Sequence, residues 1–263
     1  MKSSDIKFVV QEKYGKIVKG GSCCSGASCC GGTEYNMSSD EYVKAEGYNP
    51  DADFGLGCGI PVNYAAIREG DHVLDLGSGA GNDCFVARAF VGESGEVTGL
   101  DITEEMVAKA RENCLKKGYT NLVFVKGDIE SMPLPDNKYD VVLSNCVLNL
   151  VPDKYKAFSE IFRVLKPSGH FCISDVVTMG NLPEKMKSDV EMYVGCVAGA
   201  ELYDSYLDII AKSGFISVAV HKKNKIDLPE NVINSFLTKE EADDFLNSEK
   251  GIFSITVTGV KPQ

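Results

Sequence analysis

The chain has 263 residues, 44% of them hydrophobic and 25% charged, enough for one large domain or one domain with an elaboration. Its formal charge of −11 would repel a phosphate backbone, which argues against nucleic acid as a partner. No apolar run reaches the roughly 18 residues that a membrane-spanning helix needs, so no membrane association is expected.

The N-terminal stretch MKSSDIKFVVQEKYGK lacks the apolar core of a signal peptide. A cytoplasmic location follows as the expectation, and with it ten cysteines that are thiols rather than structural disulfides. Residues 1–32 read as a short helix followed by a flexible arm, GGSCCSGASCCGG, which carries Cys23, Cys24, Cys29 and Cys30. Gly, Ser and Ala around them cannot build a core. A metal knuckle is one reading of these pairs, but without a C-x2-C spacing they make a poor zinc template; an inert tail is another.

From His72 onward strands and helices alternate. His72–Leu76 reads as the first strand, followed by a Gly-rich turn and a helix from about Asn82 to Phe90. Glu96–Asp101 is the second strand, with Thr103 as N-cap of a helix that opens on Glu104 and Glu105 and stops at Gly118. Leu122–Val125 and the apolar run Tyr139–Ser144 are strands three and four. A helix over Lys154–Leu165 should close at Lys166-Pro167-Ser168-Gly169 before strand five, His170–Val177. Further helices are expected near Glu184–Tyr193 and Tyr203–Ala211, and strands near Ile216–His221 and Ile252–Val260. This alternation implies an α/β, doubly wound, Rossmann-like fold. The expected organisation is a Cys-rich helix and arm over 1–32, a cofactor-binding core over 33–180, and a lid segment with the last strands over 181–263.

The first turn, Asp75-Leu76-Gly77-Ser78-Gly79-Ala80-Gly81-Asn82-Asp83, lets a cofactor lie against bare backbone. Asp75 and Asp83 flank the spot where a pyrophosphate would sit; carboxylates there repel phosphate but accept hydrogen bonds from the cationic amino-acid tail of S-adenosylmethionine. Asp101, with Ile102 after it, ends strand two, where an acidic side chain can bind both ribose hydroxyls. Gly127, Asp128 and Ile129 follow strand three, where a carboxylate can receive the adenine amino group. With Gly77, Ser78, Gly79, Gly81, Asn82 and Asn145, these residues form the predicted S-adenosylmethionine site of a class I methyltransferase fold.

Six cysteines lie outside the arm. Cys84 and Cys172 read as small core residues and Cys114, on a Lys-rich helix end, as incidental. Cys146 follows strand four in SNCVLNL, at the sheet edge where open α/β folds bind ligands. Cys58 in GLGCGIP and Cys196 in VGCVAGA are flanked by small residues that leave sulfur accessible. Only three histidines occur, so a Cys/His metal site is poorly supplied.

The segments GLGCGIP, VLDLGSGAGNDCF, GLDITEEMVAKARENC, SNCVLNLVPDK, FRVLKPSG, ISDVV and VGCVAGA, in this order, resemble the arsenite S-adenosylmethionine methyltransferases. The likeness runs from about Gln11 to Phe215. It implies that Cys146 and Cys196 bind trivalent arsenic, and that Cys58 and one arm cysteine are also needed; here the arm offers four. Longer members carry a further C-terminal region beyond the last strand of this chain, and no role of that region is carried over. Trivalent arsenic is thiophilic, so thiolates should hold it. Its lone pair can then attack a sulfonium methyl without a general base, and orientation can contribute roughly 7–11 kcal/mol. The arm thiols would capture and relay arsenite or reduce a disulfide left on the site, with thioredoxin or glutathione as the thiol reductant and thioredoxin as a partner. Two other readings remain open: a small-molecule C- or O-methyltransferase, and a non-catalytic metalloid-binding or sensing protein.

Overall fold

The structure, a computed structural model, describes residues 3–19, 43–180, 199–227, 233, 235–238 and 250–263. Cys23, Cys24, Cys29, Cys30, Cys196 and the helix expected near Glu184–Tyr193 lie outside the described residues. No described helix is long and apolar enough to cross a membrane.

Helix α1 covers Ser3–Val18. Strand β1 (His72–Leu76) leads through the Gly turn to α2 (Asn82–Val91), and β2 (Glu96–Asp101) leads to α3 (Glu104–Lys117). There follow β3 (Leu122–Lys126), β4 (Tyr139–Asn145), α4 (Lys154–Val164), β5 (Leu165–Met179), β6 (Glu201–Leu202), α5 (Tyr203–Lys212), β7 (Ile216–Ile226) and β8 (Gly251–Val260). The sheet runs β3-β2-β1-β4-β5-β8-β7, with the short β6 beside β5. The first five strands are parallel, and β8 runs antiparallel to both of its neighbours. This is the doubly wound α/β sheet expected from the sequence, with an antiparallel strand beside β5.

Alternation along the parallel strands builds two cores. Val73, Val141, Leu143 and Cys172 face α2 and α3, whereas Leu74, Leu76, Val142, Phe171 and Ile173 face α4 and α5. On the second face Phe158, Phe171, Tyr206 and Phe215 meet edge to face, an arrangement that adds to the burial of their area. Cys84 and Cys172 are fully buried, and Cys114 is not incidental: it is buried and its thiol donates to the Tyr119 carbonyl.

Two local details differ from the sequence reading. Residues 165–169 do not form a turn ahead of a short strand; they open β5, with Leu165 paired to Tyr139 and a register shift absorbing the extra residues. Pro167 cannot continue the helix, and Ser168 at φ 65° turns its N–H to the Lys261 carbonyl. Thr103 occupies the N-cap of α3 but makes no side-chain cap bond there; its backbone N–H is instead held by Asp101.

Because β1, β2, β3 and β4 are parallel, their carboxyl ends share one edge. Leu76 pairs with Leu100 and Ser144, and Asp101 with Lys126. Asp75, Asp101, Asp128 and Cys146 are thereby brought to one rim.

Candidate active site

A cavity opens along that rim, with about 1130 Å³ of space including its solvent-filled mouth. Asp75, Gly77, Ser78, Gly79, Asn82, Asp101, Ile102, Asp128, Ile129, Asn145 and Cys146 line it. Gly81 and Gly127 do not. Gly81, at φ 98°, lets α2 start against the rings of Phe85 and Phe124, which would lie 3.0 and 2.9 Å from an added Cβ. Gly127 makes room for Leu100 and Pro133 in the same way.

The Gly turn is close-packed on one side and open on the other. At Gly77, φ 64°, a Cβ would sit 2.4 Å from Val147, whereas at Gly79 the nearest atom would be Met106 Sδ at 3.8 Å. Ser78 Oγ and Asn82 Oδ1 are buried there without a hydrogen-bond partner among the described residues. Orphaned polar atoms beside bare backbone are what a bound polar ligand completes.

Acceptors dominate the rest. Asp75 is buried, and burial followed by the charge of Asp83 holds its carboxyl well above the usual carboxylate range. The Cys84 thiol donates to Asp75 Oδ2 at 3.2 Å, and burial with that carboxylate pushes the thiol's own titration upward. Asp101 receives the Gly79 N–H on Oδ2 at 2.9 Å and the Thr103 N–H on Oδ1 at 2.8 Å. Burial still raises its titration above that of a free aspartate. A cationic tail relieves such a group, because an opposite charge favours the ionised carboxylates. The set of acceptors therefore fits S-adenosylmethionine.

Of the two predicted arsenic-binding cysteines described, Cys146 lines the cavity and Cys58 does not. Cys146 follows β4 directly at φ 59°, a left-handed conformation uncommon for a side-chain-bearing residue, and its N–H is bonded to the Ser174 carbonyl at 2.7 Å. Cys58 lies in the loop before the Pro61–Tyr64 turn. Its neighbour Gly57 lines the cavity, and Gly59 rests against Ser174 Oγ where a Cβ would come within 2.5 Å. Asn145 joins the two segments. Its Oδ1 accepts from the Cys58 N–H, and its Nδ2 donates to the Gly59 carbonyl at 2.9 Å and to Asp83 Oδ2 at 3.1 Å. Sequence reading made Cys58 accessible; both Cys58 and Cys146 are in fact 8% exposed. Among the described residues no three Cys, His, Asp or Glu side chains cluster as a metal site.

Several residues here carried no sequence signal. Lys7, Val10 and Tyr14 of α1 line the cavity. Behind the thiols, Tyr206 donates to Asp175 Oδ2 at 3.1 Å, both fully buried, and the tyrosine is within electrostatic reach of Cys58 and Cys146. Burial pushes Asp175 up to about 7.

A family model described as a methyltransferase domain matches residues 67–231. The arsenite methyltransferase of Halobacterium salinarum is 38% identical over 97% of this chain and 66% of its own length. That of Mus musculus is 43% identical over 60% of this chain and 44% of its own length. The crystal structure of CrArsM, an arsenic(III) S-adenosylmethionine methyltransferase from Chlamydomonas reinhardtii, superposes with a TM-score of 0.68 at 34% identity, covering 78% of this chain and 68% of that one. The chain thus spans about two thirds, or less, of the curated relatives it matches.

Proposed function

Since the chain belongs to the arsenite methyltransferase family, we propose that it transfers the methyl group of S-adenosylmethionine to thiol-bound trivalent arsenic, in arsenic detoxification. The observation that carries this reading is Asn145, whose one side chain ties the Cys58 loop to the strand end before Cys146 while reaching Asp83 on the cofactor side. A methyltransferase acting on carbon or oxygen does not require two cysteine-bearing segments held together beside its cofactor turn.

When bound, S-adenosylmethionine supplies an electrophilic sulfonium methyl. Asp75 and Asp83 would hold its ammonium, Asp101 the ribose hydroxyls and Asp128 the adenine amino group, with Ser78 and Asn82 contributing the polar atoms now orphaned. Cys58 and Cys146, joined by Cys196, would hold arsenic through soft sulfur ligands and leave its lone pair free. No side chain needs to remove a proton from that nucleophile, so the residues act by orientation and by excluding water. The arm cysteines would deliver arsenite or reopen an oxidised site, with thioredoxin or glutathione restoring the thiols in the cytoplasm.

The test is direct. The pure protein is incubated with arsenite, a thiol reductant and S-adenosylmethionine, and the arsenic is speciated. Methylated arsenicals that depend on all three components support the proposal. Arsenite bound but never methylated would leave a metalloid-binding protein, and neither binding nor methylation would leave a methyltransferase for another acceptor.

A further inference from the structure

One wall of the cofactor cavity comes from outside the doubly wound core. Lys7, Val10 and Tyr14 recur along one stripe of α1 and face the cavity, and the helix is tied to three successive features of the rim. Gln11 Nε2 donates to the Ile102 carbonyl at 3.1 Å, directly after Asp101. Just past the end of α1, Lys19 pairs with Glu105 at 2.8 Å in the first turn of α3. The Lys7 ammonium lies 2.5 Å from both Asp128 Oδ2 and Glu130 Oε2, past the end of β3.

The last contact differs in kind from a surface ion pair. Glu130 is 5% exposed, and its other oxygen accepts the Asp153 N–H at 2.8 Å. Asp128 Oδ1 accepts the Glu130 N–H at 2.9 Å, so the two carboxylates share one tight turn. Without a cation between them their mutual repulsion would turn one of them away. With Lys7 present, each Asp128 oxygen has one protein donor and keeps one lone pair for a ligand.

We propose that Lys7 is a cofactor-positioning residue, which from α1 holds the Asp128 carboxylate ready to accept the adenine amino group. The inference rests on the reading that Asp128 faces that amino group, and it gives α1 a share in recognising the base rather than merely covering it. A carboxylate fixed as acceptor favours a base that offers an N–H at this position and rejects one that offers a carbonyl.

The matched ligands S-adenosylhomocysteine and S-inosylhomocysteine differ in that group, and calorimetry gives the ratio of their dissociation constants. The native protein is expected to prefer the adenosyl ligand by roughly 10- to 100-fold, as for a hydrogen bond to a charged group. Asp128→Ala should bring the ratio near unity. Lys7→Met should lower it several-fold and Lys7→Arg restore it. Lys7→Gln, which keeps a neutral donor beside Glu130, serves if Lys7→Met fails to fold, and should lower the ratio likewise. If the Lys7 variants weaken both ligands equally, or neither, while Asp128→Ala abolishes discrimination, the role of Lys7 is overturned and that of Asp128 stands. If Asp128→Ala keeps full discrimination, the underlying reading of Asp128 fails and the inference falls with it.

Discussion

The backbone N–H of Cys58 donates to Oδ1 of Asn145 at 3.1 Å, so the residue immediately before Cys146 in the chain holds the loop that bears the other thiol. Two cysteines 88 positions apart in sequence (146 − 58) are thus placed by one amide. Asn145→Ala should free that loop without emptying the core. Arsenite affinity and methylation should both fall by roughly 10-fold or more, because a chelate depends on the effective concentration of its second thiol. Cys58, Gly59 and Asp83 each lose a hydrogen bond, so the melting temperature should fall as well and is measured alongside. Unaltered arsenite affinity in titrations of the folded variant would show that the amide does not organise the thiols.

Asp101 is expected to bind the ribose hydroxyls. Asp101→Ala should weaken S-adenosylmethionine binding by roughly the 1.5–3 kcal/mol of a charge-assisted hydrogen bond, leaving arsenite binding near its native value. Both Gly79 and Thr103 also lose an acceptor in this variant, so the unfolding midpoint should be measured alongside. Calorimetry with native cofactor affinity would remove Asp101 from the site.

Bond counting separates the thiols. Arsenite has three exchangeable positions and methylarsenite two, so a pair of thiols satisfies only the second. If Cys58 supplies the third ligand beside Cys146 and Cys196, Cys58→Ser should depress arsenite methylation and spare methylarsenite. Cys146→Ser and Cys196→Ser should eliminate both. Equal loss on the two substrates in Cys58→Ser would make Cys58 structural. Deleting residues 1–32 is a poor test of the arm, because it also removes α1 and its cavity-lining Lys7, Val10 and Tyr14; substituting Cys23, Cys24, Cys29 and Cys30 avoids this.

Asp175 predicts a pH dependence. Burial raises its folded titration from 3.8 to about 7, so between those values the folded protein binds more protons than the unfolded chain. Its contribution to stability is therefore greatest below about pH 4, declines as pH rises towards 7, and stays lost above it. Asp175→Asn can still accept from Tyr206 and does not ionise. Its stability advantage over the native protein should grow from pH 5 to about pH 7 and then level off by pH 8, by about 3 kcal/mol at most at about 1.4 kcal/mol per pH unit. Urea titrations at the two pH values check this; a constant gap would mean that Asp175 titrates normally.

The rim was legible where each feature is local. Asp75 and Asp101 fell on predicted strand ends because short apolar runs bounded by Gly or a helix start leave little choice of register. The contribution of α1 was not legible. Lys7, Val10 and Tyr14 have the spacing of any half-buried helix, and the partner of Lys7 lies 121 positions away. Cys114 was misjudged because the lysines beside it describe the exposed side of α3, whereas the thiol lies on the other. The Cys84 bond to Asp75 joins the ends of a turn and could not be foreseen from either. Residues 165–169 read as a turn because Pro and Gly suggest one, and only pairing with Tyr139 reveals a strand.

The left-handed backbone at Cys146 sets chemistry against stability. For a residue with a Cβ this conformation costs roughly 1–2 kcal/mol that glycine escapes and asparagine partly escapes. Glycine here would recover that cost but give up a buried side chain, so the thiol is held at this corner against the preference of its own backbone.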